Sequence, residues 1–75
     1  MQSINVLIVE DDPIVAETVA LCFCVCWPET AVQVVPTGEE ALTLIENRPP
    51  TLVILDLGLP GIDGYQTLDK IRAPR

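Results

Sequence analysis

Three short, almost wholly apolar runs, alternating with helix-like segments, most strongly limit how this chain can fold. The runs occupy residues 4–9, 31–35 and 52–55 and are rich in Val, Ile and Leu. Runs with little polar alternation are typical of strands that are covered on both faces, as in parallel sheets. Parallel strands that alternate with helices are joined by right-handed crossovers. The sequence therefore predicts an α/β fold with a parallel sheet.

Residues Asp12 and Pro13 predict the start of the first helix, as its N-cap and its first helical residue. Pro28 predicts its end. One apolar stripe of this helix comprises Val15, Val19, Cys22, Phe23 and Cys26. A second apolar stripe comprises Leu21, Cys24, Val25 and Trp27. A helix that is apolar on most sides is expected to be buried on most sides.

The second helix is predicted by a capping box, in which Thr37 is the N-cap and Glu40 lies three residues later. Its predicted end is near Asn47 and Pro49. The apolar residues expected on one face of this helix are Ala41, Leu42 and Ile45. A third helix is predicted by apolar residues spaced by three, namely Tyr65, Leu68 and Ile71.

The composition limits the partners of the chain. Its 75 residues form at most one small domain, with four basic and eleven acidic residues and a net charge of −7. This balance argues against binding nucleic acid or an anionic membrane surface, because phosphate groups are bound by clustered Lys and Arg. It favours a cation where the carboxylates converge.

No export signal or membrane-spanning segment is predicted. Residues 1–3 carry no basic charge, and the longest apolar run, residues 19–27, is far below the roughly 20 residues of a spanning helix. The three cysteines are an odd number and do not form a disulfide framework, which indicates a reducing, cytoplasmic compartment. Cys22, Cys24 and Cys26 are expected to be small buried side chains rather than soft-metal ligands, and Trp27 a core side chain.

Two groups of acidic residues follow predicted strands. Glu10, Asp11 and Asp12 come directly after the first strand, and Asp56 closes the third. Ligands of parallel sheets gather at the carboxyl ends of the strands, where these carboxylates would repel one another and raise their pKa values. Mg²⁺ would neutralise them, and one Asp could then accept a phosphoryl group as a nucleophile. Alternatively, the acidic triplet is a solvated helix start and Asp56 an ordinary loop carboxylate.

Two motifs together resemble the receiver domain of bacterial two-component response regulators. The first is Val-Glu-Asp-Asp-Pro at residues 9–13, and the second, at residues 56–64, follows the pattern D-x-x-L-P-x-x-D-G. The resemblance implies a flavodoxin-like, doubly wound parallel sheet with the strand order 2-1-3-4-5. It also implies a phosphoacceptor in two-component (phosphorelay) signal transduction rather than an enzyme.

The resemblance assigns a role to each residue of the motifs. It makes Asp56 the phosphoacceptor, which receives its phosphoryl group from a sensor histidine kinase or a phosphotransfer protein. It makes Glu10, Asp11, Asp56 and the backbone carbonyl of Gly58 the Mg²⁺ site, with Asp11 a direct ligand and Glu10 acting largely through water. Asp12 lies outside this set and is assigned to capping the first helix. In the second motif, the residues expected to shape the loop are Pro60, Gly61 and Gly64.

The resemblance covers residues 1–75 as a partial receiver domain, about the first three-fifths if a full one has 100–150 residues. Strands four and five of the family have no counterpart in these residues. The family's Thr or Ser, its Lys and its aromatic switch residue, which those strands carry, therefore have no counterpart either. Lys70 cannot replace that Lys, because it is expected on the exposed side of the third helix. Phosphotransfer by this chain alone is therefore expected to be impaired.

Residues 51–57 would form an apolar sheet edge, which predicts a homo-oligomer through strand three or the first helix. Alternatively, these apolar surfaces are the ones that the second half of a receiver domain would cover.

Two alternative functions stay open on the sequence. The first is a non-catalytic truncated receiver that acts as a dimerisation or protein-interaction module. The second is another Mg²⁺-dependent phosphoryl enzyme. Hydrolases with an aspartate nucleophile would want an acid two residues after it, where this chain has Gly58, so the second alternative is weak.

Overall fold

A computed structural model describes residues 4–56 and 64–72 of the chain and shows strands and helices in alternation. The elements are β1 (Asn5–Val9), α1 (Pro13–Cys26), β2 (Ala31–Val35), α2 (Gly38–Asn47), β3 (Leu52–Leu55) and α3 (Gly64–Arg72). The predicted order of elements is confirmed. Among the described helices, none has both the length and the hydropathy that crossing a bilayer requires.

The three strands form one parallel sheet in the order β2-β1-β3. β1 lies in the middle, and its residues Val6 to Val9 are at most 3% exposed. Their burial on both faces explains why the run has no polar alternation. Along β3, Leu52 is 45% exposed and the other residues are half-buried, because β3 pairs with β1 on one side and ends the three-stranded sheet on the other.

One face of the sheet carries α2 and α3 and holds the main core. The buried residues of this core are Leu7, Val9, Val35, Ala41 and Ile45. Partly buried residues that pack against it are Leu44, Val53, Leu55 and Ile71. On α3, Ile71 packs against the core, as the apolar spacing predicts. Tyr65, which the same spacing places on that face, is 64% exposed, and the polar residue Thr67 is fully buried instead.

The opposite face of the sheet carries α1, which contacts β1 and β2. Of the residues of α1, only Ala16 is buried, at 4% exposure. The expected burial of Cys22, Cys24 and Cys26 is wrong, because all three thiols are exposed. At about 100° per residue, each of the three lies about 80° or more around the helix from Ala16, the residue that faces the sheet.

Trp27 is also exposed, at 59%, contrary to its predicted place in the core. It is the C-cap of α1, where its backbone N–H donates to the Phe23 carbonyl at 2.7 Å. Its ring lies 5.5 Å from the Phe23 ring, measured between centroids. The indole therefore packs along its own helix rather than into the sheet.

The predicted helix starts are confirmed in atomic detail. The Thr37 hydroxyl accepts from the Glu40 backbone N–H at 3.2 Å and lies 3.2 Å from the Glu40 carboxylate, to which it donates. Asp12 caps α1 through its carboxylate, which accepts from the N–H groups of Ile14 and Val15. These caps satisfy N–H groups that have no partner within the helix, which explains why both starts could be read from the sequence.

Replacing a buried isoleucine of β1 should destabilise the fold much more than replacing the isoleucine just before the strand. Ile8 is 1% exposed and Ile4 is 48% exposed. We expect Ile8→Ala to lower the free energy of unfolding by about 2–5 kcal/mol, because it leaves a cavity in the core. Ile4→Ala should lower it by less than half as much. Urea unfolding followed by circular dichroism at one protein concentration measures both, and equal losses would contradict this account of the core.

Candidate functional site

Two backbone hydrogen bonds place the acidic residues at the carboxyl edge of the sheet. The Glu10 N–H donates to the Val35 carbonyl of β2, and the Asp56 N–H donates to the Val9 carbonyl of β1, both at 3.0 Å. Each bond extends a parallel ladder one residue beyond its strand. Glu10 and Asp56 therefore lie on neighbouring strand ends.

The structure brings three of the four acidic side chains together. Glu10, Asp11 and Asp56 each offer a carboxylate oxygen, and these oxygens all lie within 4.8 Å of one another. Glu10 and Asp56 are half-buried, whereas Asp11 is exposed. The sequence-based expectation that the acids of the first and third strands meet thus agrees with this arrangement.

Asp12, the fourth acid, turns away to the helix. Its Oδ1 accepts from the Ile14 N–H at 2.9 Å and from the Val15 N–H at 3.4 Å, which makes it the N-cap of α1. Carboxylates are stabilised there by the unpaired N–H groups of the first turn. Of the three acids after β1, Glu10 and Asp11 therefore belong to the carboxylate group with Asp56, and Asp12 caps α1.

The surroundings of Glu10 raise the pKa of its carboxyl above the usual value. Partial burial is the largest cause, because it disfavours the charged form, and Asp56 and Asp11 raise the pKa further. The Asp12 backbone N–H, which donates to Glu10 Oε2 at 3.2 Å, acts in the opposite direction. The sequence predicted that repulsion between the acids raises this pKa, whereas the largest single cause is the desolvation of Glu10.

The bond from the Asp12 N–H to Glu10 is a feature that sequence reasoning missed. It orients the Glu10 side chain at the edge of the carboxylate group. Thr67, fully buried on α3, was missed as well, although its spacing of four from Ile71 places both on one helix face. Lys70 is exposed, as expected.

Part of the second motif cannot be placed. Gly58, Pro60 and Gly61 lie outside the described residues, so the expected Gly58 carbonyl ligand stays a prediction. Gly64 is the first residue of α3. The described site therefore consists of Glu10, Asp11 and Asp56.

This set of oxygen donors suits a hard divalent cation. Mg²⁺ prefers oxygen ligands, keeps several waters and is usually held by one or two carboxylates. Three carboxylates with oxygens within 4.8 Å repel one another, and a divalent cation would remove that repulsion. The residues present thus fit Mg²⁺.

The family model of the response regulator receiver domain matches residues 6–75, nearly the whole chain. The chain belongs to the response regulator receiver domain family. Relatives agree with this assignment. The nitrate/nitrite response regulator protein NarL of Escherichia coli (strain K12) is 34% identical over 68 residues, which are 91% of this chain and 32% of NarL. The probable C4-dicarboxylate response regulator DctR of Bacillus subtilis is 40% identical over 68 residues, 91% of this chain and 30% of DctR.

A solved receiver domain shares the fold. The crystal structure of the BeF3-activated N-terminal receiver domain of RstA from Klebsiella pneumoniae superposes with a TM-score of 0.81 at 35% identity. The match covers 91% of this chain and 56% of that one. This receiver chain thus spans about a third of the NarL and DctR relatives and just over half of the RstA domain. The flavodoxin-like receiver fold is confirmed.

The raised pKa of Glu10 predicts a pH dependence of stability. Between the unfolded and the folded pKa of this carboxyl, the folded chain binds more protons, so this group lowers the free energy of unfolding as pH rises through that window. Glu10→Gln should therefore stabilise the metal-free chain at neutral pH more than at low pH. Urea unfolding in EDTA from about pH 4 to pH 7 measures this difference.

The matched control for that measurement is Glu46→Gln, which alters an exposed glutamate on α2 far from the carboxylate group. This variant should not reproduce the pH-dependent gain. If the stability difference between Glu10→Gln and the parent chain is the same at every pH, the described environment of Glu10 is incorrect.

Proposed function

We propose that this chain is part of a phosphoacceptor receiver domain in a two-component phosphorelay. Asp56 accepts a phosphoryl group, with Mg²⁺, from the phosphohistidine of a sensor histidine kinase or a phosphotransfer protein. The observation that supports this most directly is the convergence of Glu10, Asp11 and Asp56 at the carboxyl edge of the sheet. It occurs in a chain that the receiver family model matches over residues 6–75.

The proposed step transfers the phosphoryl group from the phosphohistidine nitrogen to a carboxylate oxygen of Asp56. An oxygen of the ionised Asp56 carboxylate attacks phosphorus, an O–P bond forms and the N–P bond of the phosphohistidine breaks. The electron pair of that bond stays on the imidazole nitrogen, which takes up a proton from water. The product is an acyl phosphate on Asp56 and a neutral histidine on the donor.

Glu10, Asp11 and Asp56 are the residues proposed to hold Mg²⁺. Asp11 serves as a direct ligand, Glu10 acts through water, and the Gly58 carbonyl is proposed as a further ligand. When bound, Mg²⁺ supplies positive charge that offsets the negative charge on the phosphoryl oxygens. The bond from the Asp12 N–H orients Glu10 toward this group and supports its assigned position.

The proposed role is that of a switch and not of an enzyme, because the phosphoryl group stays on the domain and biases its conformation. Residues 1–75 are proposed as a partial receiver domain, which agrees with the fraction of the relatives that the chain spans. A cytoplasmic location is proposed because kinase and receiver must meet. Free thiols at Cys22, Cys24 and Cys26 are consistent with a reducing compartment.

A second candidate function is a non-catalytic dimerisation or protein-interaction module. The supporting observation is the exposure of large apolar side chains on α1, where Leu21 is 60% and Val25 72% exposed. Apolar surface of this kind marks contact sites. A homo-oligomer through α1 or the edge of β3 is therefore proposed alongside phosphorylation. With a net charge of −7, nucleic acid and anionic membranes are not proposed as partners of this segment.

Removing the Asp56 carboxylate should abolish phosphorylation. We expect only a minor fraction of the chain to gain one phosphoryl group from acetyl phosphate and Mg²⁺, measured by intact mass spectrometry, because phosphotransfer by residues 1–75 alone is expected to be impaired. Asp56→Asn should gain none. Asp69→Asn, which alters an exposed aspartate on α3, is the matched control and should be phosphorylated like the parent chain. An adduct that persists in Asp56→Asn would refute the assignment, and no adduct on the parent chain would favour the interaction module.

Asp11 and Asp12 are neighbours with different assigned roles, so their variants should differ in Mg²⁺ binding. We expect Asp11→Asn to weaken binding at least about tenfold, because it removes a full charge next to the ion. Asp12→Asn keeps an oxygen that can cap α1 and should change the affinity by less than about threefold. Isothermal titration calorimetry measures both, and equal losses would contradict the division of the acidic triplet.

A further inference from the structure

Asp12 forms hydrogen bonds through three of its groups. Its Oδ1 accepts from the Ile14 N–H at 2.9 Å and from the Val15 N–H at 3.4 Å. Its backbone carbonyl accepts from the Ala16 N–H at 2.9 Å. Its own N–H donates in the other direction along the chain, to Glu10 Oε2 at 3.2 Å. Asp12 therefore connects the first turn of α1 to the Glu10 side chain.

The conformation of Asp12 is fixed by its neighbours. Its φ of −86° and ψ of 112° lie in the extended region, which the following Pro13 favours. The two bonds to Oδ1 hold its side chain against the first turn of α1, and that turn is seated on the sheet through Ala16, which is 4% exposed. Because φ sets the angle between an N–H and the rest of its residue, the direction of the Asp12 N–H is fixed as well.

Glu10 needs such a partner to keep its side chain in place. Its backbone leaves the sheet at a fixed point, since its N–H donates to the Val35 carbonyl at 3.0 Å. Its side chain is long and only half-buried, so packing alone does not select one rotamer. Asp11 and Asp56 repel the ionised Glu10, whereas the Asp12 N–H stabilises it. The bond from Asp12 thus holds Glu10 beside two groups that would otherwise push it away.

We propose that Asp12 is a positioning residue of the Mg²⁺ site, although it is not one of the three carboxylates that form the site. The cap that its side chain makes on α1 holds its N–H where Glu10 accepts from it, and Glu10 is thereby held beside Asp11 and Asp56. The identity of the ion rests on the proposed function, whereas the bond between Asp12 and Glu10 belongs to the chain without metal. A cap that only starts α1 would have no effect on the ion.

The connection is local to one continuous segment. All of its groups lie in residues 10–16, which the structure describes without a gap. Each of the hydrogen bonds joins residues that are at most four positions apart. The connection therefore depends on this segment and its seat on the sheet, and not on what covers the outer side of α1.

Two neutral variants separate the cap from the charge of Asp12. Asparagine caps helices about as well as aspartate, whereas alanine has no side-chain acceptor. We expect Asp12→Ala to bind Mg²⁺ about threefold to tenfold more weakly than Asp12→Asn, less than the roughly 10–100-fold lost when a direct ligand loses its orienting partner, because Glu10 acts through water. Titration with Mg²⁺ alone, followed in ¹H–¹⁵N spectra, measures both dissociation constants, and equal constants overturn the proposal.

Thr37→Ala is the matched control for the loss of a helix cap. Thr37 caps α2 through its hydroxyl, which accepts from the Glu40 N–H at 3.2 Å, and it is not a member of the carboxylate group. This variant should lower the free energy of unfolding by an amount similar to Asp12→Ala, yet change the Mg²⁺ affinity by less than about twofold. If both variants lose affinity equally, the cap acts through stability alone and the proposal is overturned.

Glu10→Ala tests whether Asp12 acts through Glu10. It removes the acceptor, so Asp12→Ala and Asp12→Asn, each combined with Glu10→Ala, should bind Mg²⁺ equally. A difference of about threefold or more that persists without the Glu10 side chain overturns the proposal, because the cap then acts by another route. Should Asp12→Ala not fold, Asp12→Gly gives the same comparisons, because glycine lacks the acceptor but is tolerated at helix N-caps.

The amide proton of residue 12 tests the bond without metal. In EDTA, Glu10→Ala should move this proton upfield in the Asp12→Asn chain, where the bond is intact, and leave it nearly unmoved in the Asp12→Ala chain, where the bond is already lost. Equal movements in the two chains overturn the proposal. Absence of saturable Mg²⁺ binding by the parent chain would contradict the proposed function instead, and the amide proton would still decide whether the cap positions Glu10.

Discussion

The parallel pairing of β3 beside β1 is the constraint on which the site depends. Its register sets Val9 against Leu55, so that the next residues, Glu10 and Asp56, leave the sheet side by side. The bond from the Asp56 N–H to the Val9 carbonyl fixes this relation. A shift of one residue would turn Val53 and Leu55 away from the core that they pack against, so the core that stabilises the register also stabilises the position of Asp56.

The group of carboxylates at Glu10, Asp11 and Asp56 lowers the stability of the folded chain when Glu10 is charged. Burial and two neighbouring acids raise the pKa of Glu10, which means that its charged form is disfavoured in the folded chain. Such conflicts between a local group and the rest of a structure are expected at functional sites. A divalent cation would remove this conflict, whereas Asp12 lies apart from the group, since its Oδ1 accepts from two N–H groups of α1.

The two faces of the sheet differ in how well the described helices cover them. α2 and α3 together pack over Leu7 and Val9 and complete a core on one face. On the other face Ala16 is the one residue of α1 that is buried, and Val34 of β2 remains 41% exposed. α1 also has apolar residues on the side that faces away from the sheet, whereas a surface helix normally has a polar outer side.

The sequence by itself determined the alternation of strands and helices and the starts of the first two helices, while the central place of β1 came from the resemblance to the receiver family. Those features depend on interactions within about four residues, such as the caps at Asp12 and Thr37, or on a run buried throughout, such as β1. Only the tertiary structure decided which residues are covered: Cys22, Cys24, Cys26 and Trp27 are exposed, and Thr67 is buried. It also decided how closely Glu10, Asp11 and Asp56 converge. Burial and convergence depend on the elements packed alongside, and an apolar residue type does not specify its neighbour.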